Sequence, residues 1–163
     1  MNRIATSVAV SAMLSCLAGP RAEAQTAQDI VGTWALVSAV AQQGGTHVET
    51  FGPNPIGTLM FGSDGRYALV FLRRDLPKVA SNNRASQTSE EGQAIAQGSI
   101  GHFGTYRVDA SDKSLVFRIE GSTFPNWIGA EQRRPFSLSG DELTYTSPGS
   151  TGIPAKVVMR RAK

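Results

Sequence analysis

The chain predicts an all-β fold: an antiparallel up-and-down barrel of about nine strands, with a short helix in one long lid loop. Three observations carry that expectation. Short runs rich in apolar, β-branched and aromatic residues recur along nearly the whole length. Turn residues break them at close spacing, as sequential hairpins require. No cysteine follows Cys16, and closing the sheet on itself protects the strand edges that a disulfide-free exported protein would otherwise expose.

The first 24 residues come before the fold. Asn2 and Arg3 give a basic start, Ile4 to Leu17 an apolar stretch, and Ala22-Glu23-Ala24 a small-x-small cleavage pattern. These features predict a secretory signal peptide over 1–24, a mature domain over 25–163, and a periplasmic or secreted protein. The apolar stretch is shorter than the ~20 residues of a spanning helix, so no integral membrane span is expected after processing. Met13-Leu14-Ser15-Cys16 offers an alternative, lipoprotein anchoring through Cys16, without the usual leucine three positions earlier.

Removing 24 of 163 residues leaves 139, a length that suits one domain. Arg3, Arg21 and Glu23 leave with the leader, so 16 basic and 13 acidic residues fall to 14 and 12. That balance is too even to predict a nucleic-acid partner. Arginine strongly outnumbers lysine, and arginine is the cation that tolerates burial and binds carboxylates as a fork.

After a polar lead-in over 25–29, strands are expected at Ile30 to Val40, Thr46 to Phe51, Ile56 to Phe61, Arg66 to Arg73 and Phe103 to Val108. Four more follow at Ser114 to Glu120, Arg133 to Leu138, Glu142 to Thr146 and Ala155 to Arg160. Gln43-Gly44-Gly45, Ser63-Asp64-Gly65, Ser111-Asp112-Lys113 and Ser139-Gly140-Asp141 supply hairpin turns. The long connection from Asp75 to Ser99 contains Pro77, a polar Ser81-Asn82-Asn83-Arg84 run, and Thr88 with Glu91 three residues on. That last pair resembles a capping box opening a helix through Gln97. The connection is a candidate lid; a plug at the barrel end is the alternative.

Gly32-Thr33-Trp34 resembles the Gly-x-Trp signature of lipocalins, in which the Trp closes the barrel floor beneath a basic side chain from the last strand. Gly32, Trp34 and Arg160, with Arg161 as the alternative cation, are the expected structural residues. Further stretches resemble the bacterial lipocalin-like domain family: Asp64-Gly65-Arg66-Tyr67, Asp75-Leu76-Pro77-Lys78, Ala80 to Arg84, Gly98 to Ile100, His102 to Tyr106, and Glu120 to Trp127. The resemblance implies a small β-barrel and no general biochemical activity. Two positions depart from it: Arg118 replaces an expected His, and Met159 an expected Trp.

Strand alternation nominates the interior. Tyr67, Leu69 and Phe71 carry Arg73 inward, Phe136 and Leu138 carry Arg134 inward, and Tyr106 and Val108 share a face with His102. Buried guanidinium groups need an anion. The expected ligand-binding set is Arg73, Arg84, His102, Tyr106, Trp127 and Arg134, holding a small amphipathic, acidic molecule. Internal pairing with Glu120, Glu131 or Asp75 is the alternative for the arginines. Arg118 and Glu120 are expected to pair on the surface. No cofactor is expected, and with only His47 and His102, in no ligand-spaced set, no metal. No Gly-x-Ser-x-Gly elbow and no phosphate-binding glycine loop occurs.

Three functions remain open at this stage: a binding protein, which is favoured; a cofactor-free isomerase or cyclase using His102 or Tyr106 as acid or base; and a structural or interaction protein with a filled barrel. A cavity of roughly 300 Å³ or more would speak for a ligand, a filled barrel for the last. An enzyme would have a perturbed His102 about 3 Å from a polar partner.

Overall fold

The computed structural model describes residues 26–163; the expected signal peptide over 1–24 and Cys16 lie outside the described residues. The elements run α1 (Ala27–Ile30), β1 (Gly32–Gln43), β2 (Thr46–Glu49), β3 (Ile56–Phe61), β4 (Arg66–Leu72), α2 (Ser89–Gln97) and β5 (Ser99–Asp109). They continue with β6 (Ser114–Ser122), β7 (Glu131–Ser139), β8 (Glu142–Ser147) and β9 (Ala155–Arg161). All pairings are antiparallel between neighbours, and β1 also pairs β9, so eight strands close into a barrel. The expected ninth strand, β2, pairs only the far half of β1, as a hairpin outside the ring.

The turns act as the sequence predicts. Gly44, Gly65 and Gly140 have positive φ, as does Lys113, the left-handed backbone that tight hairpins demand. Thr88 and Glu91 form the expected capping box, with Thr88 Oγ1 accepting from the Glu91 backbone N–H and Glu91 accepting from the Thr88 N–H.

Alternation fills the interior with Trp34, Leu59, Leu69, Leu115, Phe117, Leu143 and Met159, all essentially inaccessible. Burying each such side chain contributes about 1.5–3 kcal/mol. In β1 the register against β9 skips Val37, and the inward face changes from Trp34 and Leu36 to Ala39 and Ala41. This bulge lets one long strand bend around the barrel while keeping an apolar face inside. A second irregularity in the β5–β6 register leaves Gly104 flush against β6, where a Cβ would overlap the Arg118 carbonyl.

The floor is locked by three contacts. Trp34 Nε1 donates to the Ile30 carbonyl at 2.8 Å, tying α1 under the ring. The Arg161 guanidinium lies 4.2 Å from the Trp34 ring centre. Its Nη1 and Nη2 donate to the Val31 and Asp29 carbonyls at 2.9 and 2.7 Å. Gly32, at φ 125°, passes beneath that guanidinium in a backbone conformation that strains any other residue, and a Cβ there would crowd Arg161 Nη1 at 3.2 Å. Arg160 is therefore not the floor cation. Alternation from Ala155, Val157 and Met159 carries Arg161 to the floor and leaves Arg160 exposed.

Arg161→Ala removes the ring contact and two hydrogen bonds to α1, and should destabilise the fold by about 2–3 kcal/mol. Arg160→Ala should change stability by less than about 0.5 kcal/mol. Urea unfolding of both variants checks the pair, and equal losses would refute the assignment.

Candidate functional site

Inside the barrel, midway between floor and mouth, neighbouring strands bring polar groups together. Tyr67 on β4, His102 on β5, Gln132 and Arg134 on β7, and Tyr145 on β8 surround Phe117 of β6. Arg134 is 1 % exposed. Its Nε and Nη2 donate to Gln132 Oε1 at 3.3 and 2.7 Å, and Nη2 also lies 3.4 Å from His102 Nε2. Its guanidinium carbon stands 4.5 Å from the Phe117 ring centre, 5.5 Å from Tyr145 and 5.9 Å from Trp127.

No acidic side chain pairs with Arg134 among the described residues. The carboxylates proposed to neutralise it are used elsewhere. Asp75 holds Arg73, Glu120 holds Arg66 at 2.7 Å, and Glu131 faces Arg107 at 3.7 Å. The pairing of Glu120 with Arg66 also replaces the expected surface pair with Arg118.

His102 joins the cluster through both ring nitrogens. An arginine only donates, so His102 Nε2 must accept, which puts the proton on Nδ1 and directs it to Tyr67 Oη at 2.9 Å. Burial, reinforced by the adjacent Arg134 charge, pushes the His102 pKa down to about 3. The imidazole is neutral at neutral pH, and its basicity is far below what an efficient general base needs. Burial likewise raises the Tyr145 phenol to about 12, against the opposing pull of Arg134, and pushes the Tyr67 phenol upward.

The cluster meets a cavity of about 40 Å³, with room for roughly three waters. It is lined by His102, Arg134 and Tyr145 on the inside and by Phe51, Phe71 and Trp127 toward the mouth. Thr50, Ser147, Gly149 and Ser150 complete its polar side. The opening has a local cause in the sequence. The β7–β8 ladder begins at Phe136↔Tyr145, because Pro135 has no N–H with which to extend it. Beyond that pair the strands part, leaving Arg134 and Ser147 on opposite sides of a gap.

His102, Arg134 and Trp127 of the sequence-predicted set are brought together; the Trp127 ring packs edge-on 5.7 Å from His102. Three others stand apart. The β4 ladder ends at Leu72, one residue earlier than expected, and half-exposed Arg73 forks onto Asp75 at 3.0 and 2.9 Å outside the barrel. That local pairing avoids a second buried charge. Arg84 is exposed in a 3-10 turn (Arg84–Ser86). Tyr106 does point inward, but near the floor, where its hydroxyl donates to the Gly62 carbonyl at 2.9 Å. No residue of the connection 73–98 lines the cavity. Ser81, Asn83 and Glu91 instead hydrogen-bond the connection's own backbone.

Sequence reading missed Tyr67, Gln132 and Tyr145 as site members. Tyr67 and Tyr145 pass for core aromatics, and the signal for Gln132 is its position two residues before Arg134, on the same face of β7. Among the described residues no group of three or more His, Cys, Asp or Glu side chains could hold a metal ion.

The folded His102 pKa lies below the ordinary value of 6.5. Between pH 6.5 and about 3 the unfolded chain therefore takes up a proton that the folded barrel refuses. Stability falls as pH drops through that window, by about 2 kcal/mol from this residue between about pH 7 and 5. His102→Gln should flatten the stability profile over that interval in urea unfolding; an unchanged slope would refute the assignment.

No curated protein matches the chain in sequence. The crystal structure of a mutant of the fluorescent protein UnaG aligns over 83 % of this chain and 97 % of that one, at 12 % identity and a TM-score of 0.38. The lipocalin-like domain family matches residues 31–156. With that match spanning most of an eight-stranded barrel floored by Trp34 and Arg161, the chain belongs to the lipocalin-like domain family.

Proposed function

We propose that this barrel binds a small amphipathic anion, with Arg134 as the anchor for its acidic group, and that it works after export to the periplasm or beyond. One observation carries the binding part: a guanidinium 1 % exposed, with no acidic partner among the described residues, borders a cavity. Leaving a buried charge unpaired costs several kcal/mol. Gln132, a neutral His102 and the Phe117 face offset part of that. Nη1 bonds neither Gln132 nor His102, and the nearby Tyr145 hydroxyl meets the guanidinium only in poor geometry. A carboxylate set against Nη1 supplies charge-assisted hydrogen bonds and the missing countercharge.

The cavity volume limits the ligand. About 40 Å³ falls well short of the ~300 Å³ of a site that engulfs a drug-sized molecule. It suits an acidic head group of a few atoms, with the apolar part lying among Phe51, Phe71, Ile100 and Trp127 at the mouth. The same small volume favours the second reading, a filled barrel acting through its surface. The enzyme reading has less support, since neutral His102 is too weak a base and Tyr106 lies away from the cavity.

Thermal melting with octanoate, octanol and octylamine separates the readings. Octanoate should raise the melting temperature and octylamine should not. Gln132→Glu, nearly isosteric, places a carboxylate on Arg134; it should raise the ligand-free melting temperature by several degrees and abolish the octanoate shift. Arg134→Met should abolish the shift too. No response to octanoate or octanol would favour the filled barrel, and equal shifts with the two would refute Arg134 as the anchor.

A further inference from the structure

Among the described residues, only two buried side-chain polar atoms lack a hydrogen bond of good geometry: Tyr145 Oη and Thr50 Oγ1. Both belong to residues that line the cavity holding Arg134. Orphaned buried hydroxyls are rare in native interiors, and each leaves a desolvation penalty uncompensated. Two of them at one small cavity, beside an unpaired guanidinium, form a polar set waiting for a partner.

We infer that the ligand's head group is a carboxylate with a second oxygen acceptor on the adjoining carbon, as in a 2-oxo acid, and that Thr50 selects for it. This rests on the carboxylate reading of Arg134. The Tyr145 hydroxyl and the Arg134 guanidinium approach closely enough for a loose hydrogen bond, and each shifts the other's titration, although the geometry is poor. A carboxylate on Arg134 is placed to accept from it as well.

Thr50 reaches the same cavity from the β2–β3 connection. Its backbone N–H donates to the Ala39 carbonyl at 2.9 Å, which fixes the residue while its hydroxyl stays free. No acidic side chain lines the cavity. Guanidinium and hydroxyl groups there have protons to give, so the complementary ligand is rich in acceptors. A plain fatty acid answers Arg134 and Tyr145 but leaves Thr50 unpaired.

The test compares octanoate with 2-oxooctanoate by titration calorimetry on the mature protein. One recovered hydrogen bond predicts that the oxo acid binds about fivefold tighter. In Thr50→Val that preference should shrink to less than about twofold, whereas Tyr145→Phe should weaken both acids about fivefold. Thr50 Oγ1 has no partner and Tyr145 Oη only a poorly aligned one in Arg134, so Thr50→Val should melt no lower than the parent and Tyr145→Phe only slightly lower. Equal affinities in the parent, or a preference that survives Thr50→Val, would overturn the inference and leave the Arg134 reading standing. If neither acid binds the parent, the carboxylate reading falls as well.

Discussion

Everything in this molecule depends on β1 closing the ring. That strand pairs β3 over its first residues, β2 over its last and β9 along most of its length, from Trp34↔Arg161 to Ala41↔Ala155. Antiparallel closure satisfies the backbone groups that an open sheet would present at its edges. It also creates an inside, and an inside of one side chain's depth is what makes residue parity decisive. The bulge at Val37 and the Trp34–Arg161 stack follow from that requirement: the first keeps an apolar face inward along a bending strand, and the second seals the end where the chain enters.

Two arginines meet this interior on different terms. Arg161 reaches the floor with its charge spread over an indole face and two carbonyls of the α1 segment, all supplied by the chain itself. Arg134 reaches the middle and meets only neutral partners. A neighbouring carboxylate would have cost less, and acidic residues do lie nearby in sequence, with Glu131 three positions before it. Glu131 differs from Arg134 in strand parity and faces Arg107 outside. The interior neighbour, Gln132, differs from a glutamate by a single atom and carries no charge. An internal countercharge is thus absent where it would be simplest to supply.

The barrel, its hairpins and the helix capped by Thr88 were legible because each rests on local chemistry: alternation, positive-φ turn residues and a capping box. Arg134, His102 and Trp127 emerged as a group for the same reason, since the faces of Phe136 and Tyr106 carry two of them inward. The misses share a different cause. Arg73 departs because its strand ends one residue early and Asp75 lies within reach, a competition that periodicity cannot weigh. Tyr106 has the right face but the wrong height, because alternation fixes which side a residue takes and says nothing of its depth. Tyr67 and Tyr145 read as core from their apolar neighbours, and only the fold shows which hydroxyl meets His102 and which lies against Arg134. The 73–98 connection looked like a lid by length alone, whereas its Ser81, Asn83 and Glu91 side chains bond its own backbone.

Pro135 ties these threads together. A residue with an N–H at that position would continue the β7–β8 ladder past Phe136↔Tyr145 and draw β8 across the side chain of Arg134. Proline ends the ladder there, while Pro135 still pairs with Ser114 on β6, so one flank of β7 is anchored and the other released. The gap opens one residue from the buried cation, beside the poorly partnered Tyr145 hydroxyl and the loop bearing Gly149 and Ser150. A flaw in hydrogen bonding, an uncompensated charge and an orphaned donor therefore fall at one point of a barrel that is otherwise well packed. Independent defects would be scattered around the ring. Their convergence sets this point of the wall apart from the floor, where Arg161 finds all its partners within the chain.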